Sequence, residues 1–302
     1  MRVVFMGTPA YATTILHELV QRFEVVALFT QPDKPVGRKQ IITPPHIKEY
    51  VIKTKLAIPI FQPTSLKDAQ VIQTIQELKP DFIVVAAYAM LLPKEILNIA
   101  PCINLHASLL PKYRGASPIQ QALLNGDSIT GVTAMLMNEG LDEGDILGYS
   151  VYKIALDETA IELFEKLAAL AAKLTPNMLE NFHKIAPIEQ FDCDASYCKK
   201  IKKSDGLVYF DNAQKIYNKY RAFIQWPGIF LQSGLKLKKI ALHEAEGSYQ
   251  PGEILEIGKE SIIVGCQKGS LEIQEVQPPS KKPMSAVAYI RGKRLSIGDT
   301  LL

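Results

Sequence analysis

Asn104 and His106 stand two residues apart in Cys102-Ile-Asn-Leu-His-Ala-Ser-Leu-Leu-Pro-Lys-Tyr-Arg-Gly-Ala-Ser-Pro118. The segment opens as a strand, with Ile103 and Leu105 apolar, and closes as a loop punctuated by Pro111, Gly115 and Pro118. Strand residues alternate faces, so Asn104 and His106 project from one side, about 6–7 Å apart along the strand. An imidazole can move a proton and an amide N–H can donate to an oxyanion, which are the parts of an acyl-transfer site. A lone histidine on a strand is ordinarily a packed core residue. The amide beside it and the Gly/Pro loop after it turn the reading toward chemistry.

A carboxylate near His106 would fix the ring's orientation. The chain offers an acidic, Gly-rich loop, Asn138-Glu-Gly-Leu-Asp-Glu-Gly-Asp145, with Glu139, Asp142, Glu143 and Asp145 as candidates. Asp142 sits between Gly140 and Gly144, which let a backbone turn tightly. Spacing alone does not choose between Asp142 and Asp145. A second polar loop, Gln31-Pro-Asp-Lys-Pro-Val-Gly-Arg-Lys39, carries Lys34, Arg38 and Lys39 between prolines. It reads either as a grip on a phosphate backbone or as an exposed turn. His17, His46, His183 and His243 have no partner pattern and read as structural or surface histidines.

These residues need a scaffold, and the first half of the chain predicts one. Short apolar strands over 3–6, 25–30, 82–87, 103–106 and 132–137 alternate with helix-like stretches at 11–22 and 68–78. Nearly continuous apolar strands between helices imply a Rossmann-like α/β fold: a mostly parallel sheet with helices on both faces. Gly7-Thr-Pro9 after the first strand is not a G-x-G-x-x-G fingerprint, which argues against a dinucleotide site. Ligands of such sheets sit beyond the carboxyl ends of the strands, where Asn104 and His106 fall. Residues 156–183 read as one amphipathic helix. A catalytic domain is expected over 1–184 and an irregular linker over 185–205. A small, OB-like β-barrel over 206–302 follows, with strands at 234–242, 252–257, 261–265 and 270–276.

The 302 residues are 47% hydrophobic and 22% charged, an ordinary globular composition, and no apolar run is long enough to span a membrane. The N-terminus reads as a core strand rather than a signal peptide, so a cytoplasmic location is expected. Cys102, Cys193, Cys198 and Cys266 form no C-x-x-C pair, which favours reduced thiols and no metal. Residues 203–302 carry 14 Lys and Arg against 10 Asp and Glu, while residues 1–202 carry 20 against 21. The mildly basic last third permits an anionic partner.

Taken together, Val3-Val-Phe-Met-Gly-Thr-Pro9, the 31–38 loop, Ile103-Asn-Leu-His-Ala-Ser-Leu-Leu-Pro111 with Arg114-Gly115, and Gly140-Leu-Asp-Glu-Gly-Asp145 resemble the folate-dependent formyltransferases. Gly131 to Met135, Arg221-Ala-Phe, Trp226-Pro-Gly228, Lys281-Lys282 and Met284-Ser285 extend the resemblance over nearly the whole chain, toward the branch that acts on tRNA. The resemblance implies a catalytic trio of Asn104, His106 and Asp142, and places Ser108, Leu109, Leu110 and Pro111 against the folate. It implies 10-formyltetrahydrofolate as formyl donor and initiator methionyl-tRNA as acceptor. Lys34, Arg38, Lys39, Lys281 and Lys282 would contact the tRNA, and the enzyme would be a monomer. The chain departs from the family pattern at the shorter, less basic stretch after Arg38, at Ala89 where glycine is common, and at Gln225 where proline is usual. A small-molecule formyltransferase, a formyltetrahydrofolate hydrolase and a non-catalytic RNA-binding protein are the rival readings.

Overall fold

A computed structural model describes residues 1–37 and 39–301. The elements up to residue 199 are, in order, β1 (Arg2–Gly7), α1 (Ala10–Arg22), β2 (Glu24–Phe29), β3 (Lys34–Val36), β4 (Ile41–Thr43), α2 (His46–Lys53), β5 (Ile60–Phe61), α3 (Ala69–Glu77), β6 (Phe82–Ala86), α4 (Lys94–Leu97), β7 (Cys102–His106), β8 (Arg114–Gly115), α5 (Pro118–Asn125), β9 (Ile129–Leu136), β10 (Ile146–Lys153), α6 (Ala160–Glu180) and β11 (Tyr197–Cys198). Seven strands make one sheet in the order β10-β9-β7-β6-β1-β2-β5. The five from β7 to β5 run parallel, and β9 alone is reversed, pairing antiparallel with β7 on one side and with β10 on the other.

Every residue of β6 and β7 is buried, as apolar strands covered on both faces must be. Val4, Met6, Phe29, Ile83, Val85, Tyr88 and Cys102 form a core cluster to which Ile75 of α3 and Ile96 of α4 contribute. Asp68 caps α3 by accepting from the Gln70 N–H. The long amphipathic helix starts later than its hydrophobic spacing predicts. Residues 155–158 close a turn, Leu156 is exposed, and Glu162 accepts from both the Thr159 N–H and its hydroxyl. That cap fixes the start of α6.

Contacts divide the chain into two compact units. The first comprises Met1–Pro118, Ile129–Ile154 and Leu163–Lys199; the second comprises Ile119–Ser128, Ala155–Glu162 and Lys200–Leu302. The stretch expected to serve as a linker is therefore largely docked. Ile188 bridges to Ile146, and β11 pairs with β8.

Beyond residue 200 lie α7 (Ala213–Phe223), β12 (Ile229–Phe230), β13 (Lys236–Glu244), β14 (Ile254–Ile257), β15 (Ile262–Gly265), β16 (Ser270–Gln277), β17 (Met284–Ser285) and α8 (Ala286–Lys293). An antiparallel sheet runs β12-β13-β16-β15-β14, with β17 on β16, and it stands where the barrel is expected. Helices α7 and α8 pack on β13 and β16. Buried polar residues interrupt the stripe of α7. Arg221 donates to the Glu158 carbonyl and to Asn218 Oδ1, and lies 5.5 Å from the Tyr217 ring.

Three of the four cysteines are buried and Cys193 is exposed. Burial pushes the Cys102 and Cys266 thiols up to about 12 and raises that of Cys198. Since the thiolate is the reactive form, a disulfide reagent at pH 8 is expected to modify Cys193 alone in native protein and all four thiols in denaturant. A second fast-reacting native thiol would contradict this packing. No described helix is long and apolar enough to cross a membrane, and no cluster of three metal-ligating side chains occurs among the described residues.

Candidate active site

Asn104 and His106 leave the carboxyl-terminal half of β7 on one face, 9% and 6% exposed. Asp142 reaches them from the loop between β9 and β10. Asn104 Nδ2 donates to Asp142 Oδ1 (3.1 Å), and the Gly115 N–H donates to Oδ2 (2.9 Å). Oδ2 also stands 3.6 Å from His106 Nδ1. The other loop carboxylates point elsewhere. Asp145 is exposed, Glu139 pairs with Lys94 (3.3 Å), and Glu143 accepts from Asn138 Nδ2 (3.4 Å).

The ring of His106 is oriented from its far side, where Nε2 lies 2.9 Å from the Tyr113 carbonyl. A carbonyl only accepts, so Nε2 carries a hydrogen and Nδ1 is the nitrogen left to gain or lose a proton. At 3.6 Å, Nδ1 and Asp142 do not share a short hydrogen bond; a proton arriving on Nδ1 would create an ion pair.

The tight turn expected at Gly140 and Gly144 falls on Asp142 itself, whose φ of +52° is left-handed. Aspartate tolerates this region better than most residues because its short polar side chain can bond locally. Gly144 serves close approach: a Cβ there would collide with the Leu136 carbonyl. Tyr113, whose carbonyl holds His106, is also left-handed (φ +62°).

An outer layer surrounds these residues, built by Gln190, Arg114, Asp192, Ser196, Tyr197 and Cys198. Gln190 Nε2 donates to the carbonyls of Asp142 (3.0 Å) and Gly144 (2.6 Å), while its Oε1 accepts from Arg114 Nε (3.1 Å). Arg114 Nη1 donates to Asp192 Oδ1 (2.8 Å) and lies 3.3 Å from the Tyr197 hydroxyl. Ser196 Oγ accepts from the Tyr113 N–H, and Cys198 Sγ lies 3.3 Å from the Tyr113 carbonyl. The Arg114-Gly115 pair was visible as a motif, but nothing in the spacing of 185–203 marks Gln190.

The four residues expected against the folate divide into two pairs. Ser108 is buried and donates to the Lys112 carbonyl (2.6 Å), and the buried Leu110 gives its N–H to Thr133 Oγ1 (3.0 Å). Leu109 and Pro111 keep exposed surface. Ala87 and Ala89, just beyond β6, are left-handed (φ +48° and +61°), so Ala89 holds a conformation that glycine adopts freely.

The basic loop is a hairpin of β3 and β4 whose Val36, Ile41 and Ile42 are exposed. Lys34 and Lys39 are exposed on it, Lys34 with its Nζ on Gln31 Oε1 (3.1 Å). Arg38 lies outside the described residues. At the hairpin's base, Lys48 Nζ donates to both Asp33 oxygens and to Gln62 Oε1, and Gln62 Nε2 donates to Asp33 Oδ1. Hydrogen bonds from Gln62 and Lys48 hold the Asp33 carboxyl below its usual range. Lys281 and Lys282 are exposed on the second unit. Of the remaining histidines, His17 Nδ1 meets the Tyr50 hydroxyl and His243 Nδ1 meets Ser270 Oγ.

Comparison with known proteins identifies the family. Residues 1–179 match the family described as Formyl transferase, and residues 200–294 match Formyl transferase, C-terminal domain. A methionyl-tRNA formyltransferase of a Nitratiruptor species is 65% identical over 300 residues, covering 99% of each chain. One of Sulfurimonas denitrificans is 57% identical over 303 residues, covering 100% of each. Among solved structures, the sugar 3N-formyl transferase WlaRD superposes with a TM-score of 0.67 at 17% identity, covering 93% of this chain and 99% of that one. HypX from Aquifex aeolicus, in complex with tetrahydrofolic acid, gives 0.65 at 17%, covering 96% and 47%. At such identities these two structures speak for the fold alone. End-to-end identity above half, with both family domains in order, establishes that the chain belongs to the methionyl-tRNA formyltransferase family.

Proposed function

We propose that this chain transfers the formyl group of 10-formyltetrahydrofolate to the α-amine of methionine esterified to initiator tRNA. The observation that carries the chemistry is one carboxylate, Asp142, accepting from Asn104 while facing the free nitrogen of His106. The residues present fit a formyl donor. The Asn104 amide has two N–H groups, of which one goes to Asp142 and the other has no partner among the described residues.

The α-amine attacks the formyl carbon, forming an N–C bond and pushing the carbonyl electrons onto oxygen. Asn104 donates its second N–H to that oxyanion. His106 Nδ1 takes the proton shed by the attacking nitrogen, and the resulting imidazolium pairs with Asp142 and steadies the negative charge. The same proton then passes to N10 of the folate. The tetrahedral intermediate collapses with cleavage of the C–N10 bond, releasing tetrahydrofolate and formylmethionyl-tRNA. No covalent enzyme intermediate is required. The exposed lysines, Lys34 and Lys39 on the hairpin and Lys281 and Lys282 on the second unit, are proposed to meet tRNA phosphates, with the enzyme acting as a cytoplasmic monomer.

The test is transfer of labelled formyl to initiator methionyl-tRNA, with elongator methionyl-tRNA and an amino-sugar nucleotide as competing acceptors. Transfer to the initiator tRNA alone supports the reading, and transfer to the sugar nucleotide would replace it. Lys34→Ala is expected to raise KM for tRNA and to reduce the slope of log affinity against log salt by about 1. Turnover of a formylfolate analogue should be unchanged. Equal loss of both activities would show that Lys34 acts on the chemistry instead.

A further inference from the structure

We infer that Gln190 is a positioning residue for Asp142, set in place by Arg114; this rests on the catalytic reading of Asp142. Gln190 is 8% exposed, and its amide is committed on both sides. Nε2 donates to the carbonyls of Asp142 and Gly144, and Oε1 accepts from Arg114 Nε. Arg114 is 1% exposed and is anchored by Asp192 and Tyr197. The two-residue strand β8 thus holds Asp142 twice. Its Gly115 N–H binds the carboxylate directly (2.9 Å), and its Arg114 side chain holds the backbone carbonyl through Gln190.

A non-glycine residue persists in left-handed backbone only where its surroundings over-determine it. At Asp142 (φ +52°) the two carbonyl hydrogen bonds from Gln190 supply that constraint. Relaxing the Asp142 backbone would swing its carboxylate away from Asn104, Gly115 and His106 together. Gln190 has no described hydrogen bond to Asn104 or His106, so its influence runs through Asp142.

Two variants separate positioning from mere stability. Gln190→Glu keeps the size of the side chain and an acceptor for Arg114, but an ionised carboxylate cannot donate to the two carbonyls. Gln190→Leu removes all three hydrogen bonds. Both are expected to lower kcat by about 10²-fold, as displacement of a catalytic group by about 1 Å does, with KM for both substrates little changed. In protein labelled with ¹⁵N-histidine, the ring signals of His106 should move in both variants while those of the other four histidines stay in place.

Variants that lose thermal stability but keep kcat and the His106 signals would reduce Gln190 to a structural role and overturn the inference. If the variants move the His106 signals but the wild-type enzyme transfers no formyl to methionyl-tRNA, the positioning stands and the functional reading fails.

Discussion

Asp142→Asn is expected to lower kcat for formyl transfer by about 10²–10⁴-fold while leaving the protein folded. The two carboxylate oxygens have different duties: Oδ1 accepts from Asn104, and Oδ2 accepts from Gly115 and faces His106 Nδ1. An asparagine amide puts an NH₂ group on one side. Whichever way it turns, either Asn104 or Gly115 meets a donor and loses its acceptor. An unsatisfied buried donor costs roughly 1–3 kcal/mol, so the variant should melt several degrees lower yet stay native, because Asn also tolerates left-handed backbone. The negative charge opposite Nδ1 is gone in either orientation, and with it the partner of the imidazolium formed during transfer. Single-turnover transfer to initiator methionyl-tRNA checks this. A variant within about tenfold of wild type would mean that His106 works without Asp142.

His106→Ala should cost a similar factor, about 10²–10⁴ in kcat, for a different reason. It removes the proton carrier and leaves Asp142 and Asn104 bonded to each other. The ring is buried and its Nε2 meets the Tyr113 carbonyl, so its loss also opens space and strips that carbonyl of a donor. Added imidazole can enter such a space and carry the proton. Partial recovery of kcat with imidazole is therefore expected for His106→Ala and not for Asp142→Asn, where the ring is present but unpaired. Recovery in both variants would show that proton transfer is not what either residue controls. Failure to recover in His106→Ala, despite native circular dichroism, would favour a purely electrostatic role for the ring.

The parallel strands were legible because their signals are local. Runs such as Phe82-Ile-Val-Val-Ala86 need no partner to be recognised as strands buried on both faces. The shared face of Asn104 and His106 follows from the two-residue period of a strand. Helix α7 has no clear apolar period, because the buried Asn218 and Arg221 occupy positions where a core stripe would be apolar, and α8 is only eight residues long. Their caps were the available signal: Asn212 accepts from the Lys215 N–H, and Ser285 from the Ala288 N–H. The stretch after α6 lacks periodicity, and what distinguishes it is a set of contacts that reach back along the chain: Ile188 to Ile146, Gln190 to Asp142 and β11 to β8.

By itself the sequence determined that Asn104 and His106 share a strand face, that a loop of four carboxylates follows the strand at 132–137, and that a basic loop precedes them both. Each is a matter of residue type and short spacing. Local spacing leaves Asp142 and Asp145 open and the resemblance points to Asp142; the tertiary structure supplies the means that bring Asp142 beside His106, the antiparallel return of β9 beside β7 and the left-handed backbone at Asp142. It also brought in Gln190 and Arg114. Gln190 meets Asp142 across 48 residues of chain and Arg114 across 76. Hydrogen bonds at that separation depend on where two loops come to rest, and no local pattern of residues records it.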